Sequence, residues 1–430
     1  MDVNSSALGE ELNQRAGGQR APHPGMRFRE FVACIAMIQA IVALAIDMMI
    51  PALGQIGAAM HLGPANERQW VITAFLLGFG SAQLFYGLAA DRFGRKPVLL
   101  FALYLYVFCS FGAAAAPGFF WLLTARVLQG VGAAGAQVVT VSIVRDCYAG
   151  RRMAQVNSLS FMVFLGAPIL APSIGQFVLL FAPWPAIFIG LGCYGTLITC
   201  WIAWRLPETQ HAEDRRPIAS HEVAAALRLT LSNRMSLGYT LASTCLFGSW
   251  LGFINSAQQV FADVFHVPKL FPLIFASCSI CMAVAALTNA RLVERLGMRP
   301  LSHFALLGFI TVSLGQAALA LTGHDSLLNF ALLQSAMMFC FGLLAGNCSA
   351  ISMEPLGHIA GTAASVQGFI SVLGAALIGF FIGQHFNGTL VPLTLGFTVC
   401  SLLGLAIILT AERGKLFRTR TYQLPNTAVN

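Results

Sequence analysis

Long apolar runs separated by short polar breaks dominate the chain. The first run covers about 31–50, and eleven more follow at approximately 70–90, 97–116, 119–144, 158–181, 185–205, 235–261, 270–291, 300–322, 327–351, 360–384 and 389–411. Each is close to or above the roughly 20 residues that an α-helix needs to cross a ~30 Å hydrocarbon core. The pattern predicts twelve membrane-spanning helices, numbered spans 1–12, and an all-α polytopic membrane protein. Barrel strands would alternate polar and apolar residues over ~10 positions, which these continuous runs do not do. Residues 1–30 are polar, contain Gly and Arg and lack an apolar core, so they read as a disordered tail, not a signal peptide.

Composition agrees with the pattern. Of 430 residues, 57% are hydrophobic and 10% charged, against about 25% charged in soluble proteins. A soluble enzyme with one anchor is excluded. The formal charge of +8 raises the question of a nucleic-acid partner, and the placement of the charges answers it. With the N-terminus cytoplasmic, 22 of the 25 Lys and Arg fall on the cytoplasmic side, Arg68 and Lys269 fall outside, and Arg126 lies within a span. Excess positive charge then marks the inner side, both termini are cytoplasmic, and no basic patch remains for nucleic acid. The eleven cysteines lie mostly in apolar runs, and Cys278-Ser279-Ile280-Cys281 has no second pair. Neither a disulfide framework nor a metal site is expected, and no cofactor.

The longest internal connection, about 206–234, is polar and divides the chain into two six-span halves, 31–205 and 235–411, followed by a tail at 412–430. The halves share a loop pattern. Asp91-Arg92-Phe93-Gly94-Arg95-Lys96-Pro97 after span 2 is echoed by Glu294-Arg295-Leu296-Gly297-Met298-Arg299-Pro300 after span 8. Parallel repeats of this kind mark transporters built from two pseudo-symmetric bundles around a midplane site. Met298 stands opposite Arg95, which suggests a weaker second copy.

Several segments now carry a family resemblance. Gly87 to Pro97 resembles the signature loop of the major facilitator superfamily, and Leu123-Thr124-Ala125-Arg126-Val127-Leu128-Gln129-Gly130 resembles its span 4 motif. Gly166-Ala167-Pro168, Ala171-Pro172 and Gly175 resemble its span 5 antiporter motif, although Ala and Pro stand where glycines are common. Asp47 with Pro51, Arg145-Asp146, Leu206-Pro207-Glu208-Thr209 and Ala360-Gly361-Thr362-Ala363 resemble more narrowly the Bcr/CflA drug-exporter branch. The resemblance covers all twelve spans. It implies a proton-coupled exporter of small amphipathic compounds in the cell inner membrane, with no enzymatic activity and a monomeric state. The alternative on the same fold is a facilitator or uptake symporter.

Two ionisable residues sit inside apolar runs, Asp47 and Arg126. A charge at that depth costs at least ~2.5–3.5 kcal/mol, so each needs a polar cavity or a partner. Asp47 is the candidate proton carrier, or else a static pair or a snorkelling acid. Arg126, Gln129, Gln137 and Thr140 fall on one side of span 4 at helical spacing, a stripe expected to face the cavity. The resemblance implies proton transfer for Arg126; the alternative is a structural Arg bonding backbone carbonyls of span 1. Pro168, Pro172 and Gly175 are expected to bend and seal span 5. Gly87, Asp91, Arg92, Gly94, Arg95 and Asp146 are expected to form a conformational latch holding the halves together. For the substrate cavity, span 7 offers Trp250, Phe253, Asn255, Gln258 and Gln259, and spans 10 and 11 offer Met337, Met338, Phe341, Asn347, Gln367 and Phe369. Met and aromatic surfaces adapt to varied apolar shapes.

Overall fold

The computed structural model describes residues 25–210, 213 and 220–417. Most of the expected N-terminal tail, Arg215 and Arg216 of the linker, and the end of the C-terminal tail lie outside the described residues. Among the described residues, eleven helices are long and apolar enough to cross a membrane. They are α1 (Phe28–Ala59), α2 (Ala65–Phe93), α3 (Arg95–Ala114), α4 (Phe119–Cys147), α6 (Pro185–Arg205), α7 (Arg234–Val264), α8 (Pro268–Leu296), α9 (Met298–Thr322), α10 (Leu327–Leu356), α11 (Gly361–Gln384) and α12 (Val391–Ala411). The twelfth, α5 (Gly150–Phe181), contains the apolar run that begins near 158 and opens with a polar stretch at 150–157. A short linker helix, Ser220–Ser232, precedes α7.

Several helices outrun their apolar runs because the hydrocarbon core is shorter than the helix. α5 begins at Gly150 where hydropathy places its start near 158, and α1 continues to Ala59. In α1 the regular turns end at Asp47, a 3₁₀ segment at Ile50–Ala52 contains Pro51, and α-helix resumes at Leu53. The matching loop glycines do matching work. Gly94 (φ 100°) and Gly297 (φ 82°) adopt a backbone conformation that side chains disfavour, and so turn α2 into α3 and α8 into α9.

In the first bundle α4 packs between α2 and α3, and in the second α10 packs between α8 and α9. The bundles meet along α2 with α11 and along α5 with α8. Exchanging halves swaps these two seams, as a pseudo-twofold axis requires. Apolar side chains cover the outside: Phe108 is 78% and Phe181 77% exposed, a surface suited to lipid and not to water. The face where α1 begins and α12 ends carries Arg92, Arg95, Arg145, Arg151, Arg295 and Arg299, and is called the basic face below.

Candidate functional site

Between the bundles lies a cavity of about 630 Å³, lined from one side by α1, α2 and α5 and from the other by α7, α8, α10 and α11. It reaches toward the basic face, where Thr240, Met353 and Ala364 form its walls. Asp47, at the end of the regular part of α1, lines it. That carboxylate is 2% exposed and its buried Oδ1 has no hydrogen-bond partner. An isolated carboxylate at membrane depth is costly while charged, so Asp47 is chemically poised to take a proton or a cation. Pro168 of α5 also lines the cavity.

The facing wall is aromatic. Phe247 and Trp250 stack at 5.4 Å between ring centroids, and Trp250 and Phe341 at 6.0 Å. Two amides add polarity. Asn289 exchanges hydrogen bonds with Asn347, at 2.6 and 3.3 Å. Gln367 donates to Ser236 Oγ (3.0 Å) and to the Ser352 carbonyl (3.1 Å).

Of the residues expected in the cavity, Asp47, Trp250, Phe341 and Gln367 line it. Phe253 is packed against Phe275 and Phe330. Asn255 and Met338 are buried at 1% and 2% exposure elsewhere in the second bundle, and Gln258 lines a separate pocket with Gln55 and Gln176. Asn289 and Phe247 escaped the sequence reasoning. Asn289 is the one Asn or Gln within span 8, a signal that was present.

The polar stripe of α4 does not face the cavity. Arg126, Gln129 and Thr140 are each 0% exposed, inside the first bundle, and Gln137 is half-buried, its buried Oε1 unpartnered. Arg126 donates to the carbonyls of Val71 (2.9 Å) and Ala45 (3.1 Å) and to Gln129 Oε1 (2.7 Å), and lies over the Phe75 ring at 4.6 Å. Gln129 donates onward to Ser110 Oγ at 2.7 Å. Glycine explains the burial: a Cβ at Gly130 would run into the Phe75 carbonyl of α2, and one at Gly132 would lie 2.6 Å from the Ala102 carbonyl of α3. With α4 this close to both neighbours, its polar face is sealed. Arg126 thus ties α4 to α2 and to the residue two before Asp47. On α5, which stays helical through Pro168 and Pro172, Gly175 sits so near α1 that a Cβ would collide with the Met48 carbonyl.

The face opposite the basic one is closed by amides that cross between the bundles. Gln69 donates to Gln259 Oε1 (2.6 Å) and to the Gly383 carbonyl (3.0 Å), and Gln259 donates to Asn66 Oδ1 (2.6 Å). Asn66 donates to the carbonyls of Gln384 and Phe386, both at 2.9 Å. Arg68 pairs with Asp263 at 3.1 Å beside them.

At the basic face, Arg95 pairs with Asp91 (2.6 Å) and Asp146 (2.9 Å), while Glu208 accepts from the backbone N–H groups of Arg95 (3.0 Å) and Lys96 (3.3 Å). These bonds join α2, α3, α4 and the segment after α6, all within the first bundle; they do not bridge the halves as expected. Arg92 is exposed, and Gly87 approaches Ser365 of α11. The second copy is not weaker. Arg299, one position after the place of Arg95, pairs with Glu354 at the end of α10 (2.6 Å) and Glu412 after α12 (3.0 Å). The base has shifted by one residue, and its carboxylate partners sit on the equivalent helices.

Twelve helices in two pseudo-symmetric bundles around a central cavity agree with the family match: residues 35–383 match the Major Facilitator Superfamily. The chain belongs to that superfamily. Among its relatives, a bicyclomycin resistance protein homolog of Haemophilus influenzae is 25% identical over 374 residues, covering 86% of this chain and 93% of the relative. A chloramphenicol resistance protein of Pseudomonas aeruginosa is 29% identical, covering 81% of each, and a multidrug resistance protein MdtL of Shewanella oneidensis is 28% identical, covering 84% and 91%. Among solved structures, the partially occluded inward-open xylose transporter XylE from E. coli aligns with a TM-score of 0.72 at 12% identity, covering 92% of this chain and 99% of the other. The superfamily's fold is that of multi-pass membrane transporters of small molecules.

Proposed function

We propose that this protein is a proton-coupled exporter of small amphipathic compounds, drugs among them, working by alternating access in the cell inner membrane. The observation that carries the reading is the buried, unpartnered carboxylate of Asp47 in a largely apolar, aromatic-walled cavity. Relatives named for resistance to bicyclomycin, chloramphenicol and multiple drugs support the substrate class. The basic face is cytoplasmic by the positive-inside rule, so the cavity reaches the cytoplasm and the amide-closed face is outer.

In this scheme a substrate enters from the cytoplasm and settles against the aromatic wall, and Asp47 exchanges its proton for it. The bundles then rock, the outer amide bonds part, and a proton arriving at Asp47 from outside favours release there. Arg126 positions the end of α1 that carries Asp47; it does not itself touch the cavity. The paired basic-face networks hold the helix ends of each bundle together, so that each bundle moves as one body.

Expression in a transporter-deficient host tests the direction. Lower intracellular accumulation of a fluorescent amphipathic dye, with growth protection against antibiotics, is the expected result. Raised accumulation would replace the reading with uptake on the same fold.

A further inference from the structure

The lipid-facing side of the first bundle carries an apolar groove. The groove, of about 600 Å³, runs between α2 and α3 past Phe85, Tyr86, Phe93, Val98 and Phe101, with Ser81 at its far end. Phe85, Phe93 and Phe101 are 64%, 54% and 64% exposed. From Ser81 to Phe93 is about 18 Å of helix, close to the ~15 Å of a single leaflet's hydrocarbon. At the basic-face end, the exposed Arg92 guanidinium lies 5.4 Å from the centre of the Phe93 ring. Among the described residues it forms no ion pair.

The repeat offers a comparison at one position of this surface. Arg92 stands two residues before the loop glycine Gly94 and Phe101 seven after it; Arg295 and Phe304 stand at the same distances from Gly297. In the second bundle the ring of Phe417, from the segment after α12, lies on Phe304 at 4.6 Å, and its backbone N–H donates to His303 Nδ1 at 3.0 Å. No described residue plays that part on Phe101.

We propose that this groove is a binding site for an anionic phospholipid of the basic-face leaflet, one acyl chain lying along Phe85, Phe93 and Phe101 and the headgroup phosphate meeting Arg92. The groove supplies length and apolar contact, and Arg92 supplies a donor fork for a phosphate oxygen pair. It is separate from the central cavity and does not depend on what that cavity transports.

The test uses the full chain in nanodiscs with equal phosphatidylglycerol and phosphatidylcholine. Phe101 is replaced by the photo-crosslinking residue benzoylphenylalanine, and cross-linked lipid is identified by mass. Phe108, exposed on the same helix outside the groove, is replaced likewise as the reference. The expected result is an anionic preference at 101 about fivefold above that at 108, the effect of roughly one basic side chain near an anionic surface, falling to the reference level with Arg92→Gln. Equal preferences at the two positions, a preference that survives Arg92→Gln, or cross-linking of position 101 to the protein's own chain would each overturn the proposal.

Discussion

Removing the Gln69 side chain from the amide closure should open the outer face. In the closed state Gln69 donates two short, buried bonds across the seam, to Gln259 and to the Gly383 carbonyl, and Gln384 Nε2 donates to its Oε1 over 3.3 Å. Gln69 is 0% exposed. Once the bundles part, the same groups are met by water, so their loss in Gln69→Ala falls on the closed state alone. At ~0.5–1.5 kcal/mol per bond, the two short bonds give about 2 kcal/mol, a shift of roughly 30-fold toward the open outer face. An open fraction of about 1% would become about a quarter. Spin labels at Gly63→Cys and Asn387→Cys, exposed positions on the two bundles at that face, report the separation by pulsed electron resonance in a background free of native cysteines. The long-distance population should rise from minor to substantial in Gln69→Ala. An unchanged distance distribution would show that the amides do not hold this face shut.

Other consequences concern packing and the charge networks. Arg126→Lys keeps the charge but loses the fork that reaches Val71, Ala45 and Gln129, and should lower stability by about 2–4 kcal/mol; an unaltered Tm of the purified variant would contradict the positioning role. Because Arg299 holds Glu354 and Glu412, Arg299→Gln should reduce dye efflux as severely as Arg95→Gln, and a silent Arg299→Gln would refute the equivalence of the two networks. Gly175→Ala places a methyl against the Met48 carbonyl and should cost about 1–3 kcal/mol. Gly190→Ala, with nothing within 4 Å of the added carbon, should leave thermal unfolding unchanged.

The spans were readable from hydropathy because the membrane demands continuous apolar surface. Their ends were less so: the polar opening turns of α5 and the turns of α1 beyond Pro51 carry no hydropathy signal, although they are helical. The register of the repeat was readable through Gly94 and Gly297, whose backbone conformation only glycine adopts readily. The strength of the second network was not, because a shift from Met298 to Arg299 as the pairing residue depends on where Glu354 and Glu412 end their helices. The side of α4 that holds Arg126 and Gln129 was also readable from periodicity. What opposes that side was not: helical spacing gives a face, and only the approach of α2 and α3 at Gly130 and Gly132 decides between cavity and bundle interior. Asp47 could be singled out from sequence as an acid inside a span, whereas the Phe247, Trp250 and Phe341 wall depends on two helices distant in sequence coming together.

Coupling at Asp47 is the claim on which the function rests. In proteoliposomes loaded with a pH indicator, a substrate gradient should drive protons in the opposite direction. Asp47→Asn should abolish that proton movement while leaving substrate able to flow down its own gradient. Substrate flux indifferent to an imposed pH gradient, or proton movement undiminished in Asp47→Asn, would contradict the account.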